Sequence, residues 1–151
     1  MTRLATLLAL AALAVAASGC GDDGGGGATD GGAAADRDAL VGTAWRLVPG
    51  GDEWQAAELP TIEFGADGRA TGSAGCNRFG GDYTVDGDTL ELGELASTLI
   101  GCEPAVMEAE RGYLDTLARV ARWEIDGERL TLADADGEPL LTFRPAEPVG
   151  D

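Results

Sequence analysis

A two-residue alternation of apolar and polar side chains, repeated along most of the chain, constrains its fold more than any other feature. Trp45 and Leu47 flank Arg46, Ile62 and Phe64 flank Glu63, Tyr83 and Val85 flank Thr84, and Leu90 and Leu92 flank Glu91. The pattern returns at Trp123 and Ile125, at Leu130 and Leu132, and at Leu141 and Phe143. Each run puts its apolar side chains on one face of a strand. Asp67-Gly68, Asp86-Gly87, Asp126-Gly127 and Asp136-Gly137 fall between such runs. Asp-Gly tolerates positive φ at both centres of a tight turn, so these pairs predict hairpins. The reading is a mostly antiparallel sheet, or partly closed barrel, of about seven or eight strands.

One segment breaks the alternation. From Glu103 to about Arg119, Val106, Met107, Tyr113, Leu114 and Leu117 recur at helical spacing. Pro104 sits where a first-turn proline is tolerated, and Glu103 brings negative charge to the N-terminal end. Arg119 and Arg122 lie toward the other end, where cations suit the dipole. This is one amphipathic helix laid against a sheet whose apolar face needs a cover, an α+β arrangement.

The charge is lopsided: 27 acidic residues against 10 basic ones, a net charge of −17, with no histidine. Every basic residue is arginine. Such a chain repels phosphate backbones, which argues against nucleic-acid partners. The absence of histidine removes the commonest general base and the commonest transition-metal ligand. The Asp-Gly pairs also lack the dense ligand spacing of a calcium loop, so neither metal nor cofactor is expected.

The start of the chain reads as an export signal over residues 1–19. Arg3 supplies a positive n-region, and Leu4 to Ala17 is a run of Ala, Leu, Val and one Thr. That run is shorter than the ~20 residues a permanent membrane-spanning helix needs. It ends in Ala17-Ser18-Gly19-Cys20, which resembles the lipobox of bacterial lipoproteins, although that pattern most often has Leu where Ala17 stands. In that family the cysteine thiol receives diacylglycerol, the peptide is cut before it, and the new amino terminus is acylated. The alternative is ordinary cleavage that leaves Cys20 as a free thiol. Residues 20–37 are rich in Gly, Asp and Ala and read as a tether. A Gly-rich coil of this length spans on the order of 20 Å. The folded domain is then 38–145, followed by an acidic tail at 146–151.

Within that domain the residues resemble the META domain, also called the HslJ-like domain. The resemblance rests on Trp45-Arg46-Leu47, Pro60-x-Ile62-x-Phe64, Gly68-Arg69 and Gly72-x-x-Gly75-Cys76-Asn77, followed by Gly80-x-x-Tyr83. Thr98, Cys102, Glu110, Leu130-x-Leu132 and Leu141-x-Phe143 continue it. It implies a small, mostly β fold with one helix, an exported or envelope-bound location, and an association with heat-shock induction and stress or drug tolerance. It implies no established catalytic activity.

Five positions in the domain invite a functional reading. Cys76 and Cys102 form an even pair in an exported domain, which suggests a disulfide; buried free thiols and a redox or metal-binding pair are the alternatives. Asn77 lies in a Gly-rich turn, where asparagine bonds its own neighbours, so its role is structural or a binding one. Glu110 falls on the apolar side of the helix and must be paired, hydrogen-bonded or protonated. Either it meets an arginine or the edge of the stripe near solvent, or it is an acid in a ligand pocket. Trp54 sits outside any alternating run, and either contacts a partner or folds back over the core edge.

The leading functional expectation is a non-catalytic envelope module. Lipid on Cys20 anchors it on the extracytoplasmic side of the cell membrane or outer membrane, where it binds a protein, a peptide or a small ligand. A redox or acid–base enzyme using Cys76 and Cys102 or Glu110 is the second reading. An inhibitor of an envelope hydrolase, presenting rigid loops from a disulfide-tied β domain, is the third.

Overall fold

The computed structural model describes residues 37–50, 54 and 58–146. The Cys20 anchor, the export signal, the tether before residue 37 and the tail beyond residue 146 lie outside the described residues.

The alternating runs become strands. In chain order these are β1 (Ala44–Leu47), β2 (Thr61–Phe64), β3 (Arg69–Ser73), β4 (Arg78–Asp86), β5 (Thr89–Leu92), β6 (Ala96–Ser97), β7 (Arg122–Asp126), β8 (Arg129–Ala133) and β9 (Pro139–Pro145). Helix α1 (Pro104–Leu117) separates β6 from β7. The pairing order β3-β2-β1-β9-β8-β7-β5-β4 is closed by a further β3–β4 ladder, so the sheet is a ring-like, partly closed one. All the strand pairings are antiparallel. The thinnest seam joins β5 to β7, where a single residue pair, Thr89 with Arg122, defines the register. Arg122 thus belongs to a strand and meets Asp88 at 2.9 Å, instead of serving the end of the helix.

Two elements escape the alternation. β3 reads Arg-Ala-Thr-Gly-Ser, with an inward Ala70 too small to mark a face, and β6 has only two residues. β6 carries β5 onward along β4 after an irregular step: Leu92 faces Tyr83, while Ala96 faces Gly80. The hairpin register also refines the Asp-Gly expectation. Asp86 pairs with Thr89 and Asp126 with Arg129, so each aspartate ends its strand. Gly87 and Gly127 then open the two-residue loops at φ 59° and 60°, a geometry that favours glycine.

The core fills the inside of the ring. Trp45, Leu47, Ile62, Phe64, Phe79, Tyr83, Leu90, Trp123, Leu130, Leu132 and Phe143 are all buried there. Tyr113 and Leu117 of α1 join the same cluster. Proline at the first helical turn lacks an N–H that would be unpaired anyway, which suits Pro104 to that place. The helix ends in a tight turn, with the N–H of Arg119 bonded to Thr116 and that of Val120 to Leu117. At ~25 cal/mol per Å² of apolar surface, each large core side chain contributes roughly 1.5–3 kcal/mol of transfer free energy. The continuity of this cluster therefore dominates the stability of the fold.

Candidate functional site

The β3–β4 connection, Ala74-Gly75-Cys76-Asn77, lies against the buried side of α1. It is closed by the Ala74 N–H donating to the Asn77 carbonyl at 2.8 Å. Gly75 has φ 114°, and a Cβ there would stand 3.2 Å from the Trp54 ring. A left-handed backbone and a close aromatic neighbour both select glycine. Trp54 itself is buried and packs edge-on to Tyr113, with ring centroids 6.2 Å apart. It serves the core, as the second of its two expected roles required.

Glu110 meets this turn from the helix. Its Oε2 accepts the Asn77 N–H at 2.6 Å and the Cys76 N–H at 3.2 Å. Its Oε1 accepts the Asn77 side-chain Nδ2 at 2.6 Å. Glu110 is 5% exposed and Asn77 is 1% exposed, so the contact is made out of water. No arginine takes part, and the carboxylate is not at the edge of the stripe. The periodicity placed Glu110 inside correctly, but its partners are two backbone N–H groups and an amide instead of a cation. Hydrogen bonds to a charged acceptor are worth roughly 1.5–3 kcal/mol each, enough to retain a carboxylate here.

Asn77 passes the constraint onward. Its Oδ1 accepts the Ile100 N–H at 2.6 Å and the Thr98 hydroxyl at 2.8 Å. Its Nδ2 also donates to the Ile100 carbonyl at 3.2 Å. Glu110 offers only acceptors and the Ile100 N–H only a donor, so these neighbours fix which way the amide points. Just before this, Thr98 and Arg78 exchange the last rungs of the β4–β6 ladder. The Thr98 N–H donates to the Arg78 carbonyl at 3.0 Å, and the Arg78 N–H to the Thr98 Oγ1 at 3.1 Å. The Asn77 side chain therefore supplies the next rung after the backbone of β4 has turned away.

A disulfide joins Cys76 to Cys102, with Cα atoms 6.3 Å apart, and closes the far end of the same segment. Cys76, Asn77, Thr98, Cys102 and Glu110 thus converge. Four secondary elements, β3, β4, β6 and α1, end in this one knot.

The loop that the knot holds escaped sequence reading. Leu99 is 93% exposed and Ile100 58% exposed, the two most exposed large apolar side chains among the described residues. Their only sequence signal is a pair of aliphatic residues outside every alternating run, next to a cysteine. The Tyr113 hydroxyl was also missed: it is buried without a hydrogen-bond partner among the described residues. Burial pushes its pKa well above the usual 10.0. Beside it, a groove of about 770 Å³ runs between Ala105, Ala109 and Gly112 of α1 and Leu140 and Leu141 of β9. No group of three or more potential metal ligands occurs among the described residues.

Against known proteins, the family model described as META domain matches residues 38–147. A protein from Burkholderia xenovorans, solved by NMR, is 27% identical with a TM-score of 0.58, covering 76% of this chain and 88% of that one. A second NMR structure is 28% identical with a TM-score of 0.57, covering 75% of this chain and 97% of that one. A DUF4847 family protein from Bacteroides vulgatus shares the fold at 15% identity and a TM-score of 0.55, covering 75% of this chain and 99% of that one. No curated protein matches the chain.

Proposed function

The chain belongs to the META domain family, and from that premise we propose that it is a lipid-anchored envelope protein that acts by contact and not by turnover. The observation that carries this reading is how the buried polar groups are used. Glu110 is the one buried carboxylate among the described residues, and both its oxygens are filled by N–H donors from the turn. A general acid or base needs a free proton-transfer path to substrate. Here the carboxylate is committed to Cys76 and Asn77, and those residues in turn hold a loop with two outward aliphatic side chains. The network is spent on shape.

Anchoring through Cys20 supports the same reading from the sequence. Small residues precede the cysteine, a short apolar run precedes those, and a Gly- and Asp-rich spacer follows. Two or more acyl chains give stable attachment, whereas one is marginal. Tethered so, the domain reaches partners close to the membrane surface and contributes to envelope stress tolerance. The test is metabolic labelling with an alkyne fatty acid, followed by detergent phase partitioning. Wild type should carry label and enter the detergent phase, and Cys20→Ser should do neither. Unlabelled wild type in the aqueous phase would contradict the anchor.

A further inference from the structure

We propose that Thr98–Cys102 is an inhibitory contact loop, which places Leu99 in the substrate cleft of an exported endopeptidase with an aliphatic specificity pocket. The proposal rests on the contact reading above and names its partner. The loop is fixed along its length. Thr98 is laddered to Arg78, Ile100 is held at N–H and C=O by Asn77, and Cys102 is bonded to Cys76. Ordering a loop on binding costs free energy for every residue immobilised, and a loop already ordered avoids that cost.

The pattern of backbone contacts points to the kind of partner. In an extended chain the N–H and C=O of successive residues face opposite edges. Thr98 uses its N–H against Arg78, and Ile100 uses both its N–H and its C=O against Asn77. The peptide groups of Leu99 and Gly101 make no hydrogen bond among the described residues. One edge of the loop is thus occupied and the other is free. Endopeptidases bind substrates as extended strands, by backbone hydrogen bonds and alternate side-chain pockets, which is strand addition in another setting. Leu99, at 93% exposure, supplies the side chain for such a pocket.

A bilayer is the other surface that accepts exposed aliphatic residues. The exposed Glu94 and Glu103 bracket the loop in sequence, and the chain carries a net charge of −17, which opposes approach to anionic lipid.

The test uses the full chain as Cys20→Ser, so that acyl chains report nothing, with elastase and subtilisin as probes. Each is assayed on a chromogenic peptide. The expected result is competitive inhibition of at least one of them. Leu99→Asp, a surface change, should raise the inhibition constant by at least about tenfold, the scale of losing a pocket-filling anchor. The Cys76→Ser, Cys102→Ser double variant should turn from inhibitor to substrate, cut within residues 98–102. A parallel arm measures binding to vesicles of phosphatidylglycerol and phosphatidylethanolamine. Inhibition of neither enzyme, inhibition indifferent to Leu99→Asp, rapid cleavage of the intact loop, or vesicle binding lost in Leu99→Asp would each overturn the proposal. None of these outcomes touches the acylation of Cys20, which is read separately.

Discussion

The side chain of Asn77 holds Ile100 by both its N–H and its C=O, as the next strand of a sheet would. One amide thereby carries the β4–β6 ladder a step beyond its backbone, and Glu110 holds that amide in place at 2.6 Å.

Glu110→Gln should destabilise the domain by roughly 1–3 kcal/mol, the scale of a disturbed buried polar contact. Both carboxylate oxygens accept from N–H donors. A glutamine offers one acceptor oxygen and an NH₂ with two donors, so that NH₂ must oppose either the Asn77 amide or the two backbone N–H groups. Urea denaturation with an unchanged m-value is the check. A variant of normal stability that loses a measurable activity would move Glu110 into an active site.

Reduction of the Cys76–Cys102 bond should also cost stability. The ring spans a sequence separation of 26, for which loop-closure entropy gives about 3.5 kcal/mol. Thiol titration of the denatured exported protein without reductant should find neither cysteine free. Two reactive thiols in a fully folded domain would remove this constraint from the account.

Much of the fold was legible because inward positions carry large apolar side chains at period two, as at Ile62 and Phe64 or Leu130 and Leu132. β3 was not legible because Ala70 and Gly72 leave room for the core without marking a face. At the site, Glu110 was readable as a carboxylate on an apolar stripe. Its partner was not, since hydrogen bonds from Cys76 and Asn77 cross 34 and 33 positions of sequence and leave no periodic trace. The Leu99-Ile100 protrusion shows only in three dimensions, because exposure is what distinguishes it from one more strand.

Tyr113→Phe should be neutral or stabilising at neutral pH by up to about 1 kcal/mol, because it removes a buried hydroxyl without a partner. The pH dependence follows from the raised pKa. Below the usual value of 10.0 the phenol is protonated in both folded and unfolded chains, and its contribution is fully present. Above it the unfolded chain ionises first, so stability falls as pH rises. The decline in urea midpoint between pH 9 and pH 11 should be shallower in Tyr113→Phe than in wild type. Equal slopes would place the alkaline sensitivity elsewhere.

The central claim is that Asn77 and Glu110 serve to hold the loop from Thr98 to Cys102. Hydrogen exchange at the Ile100 amide tests it most directly, because that N–H has Asn77 Oδ1 as its acceptor and no backbone partner among the described residues. The account predicts slow exchange at Ile100 in the wild-type protein, fast exchange at the unbonded Leu99 and Gly101 amides, and loss of the Ile100 protection in Asn77→Ala while Leu130 and Leu132 stay protected. Exchange of Ile100 at the rate of an unstructured peptide in the folded wild type would contradict it.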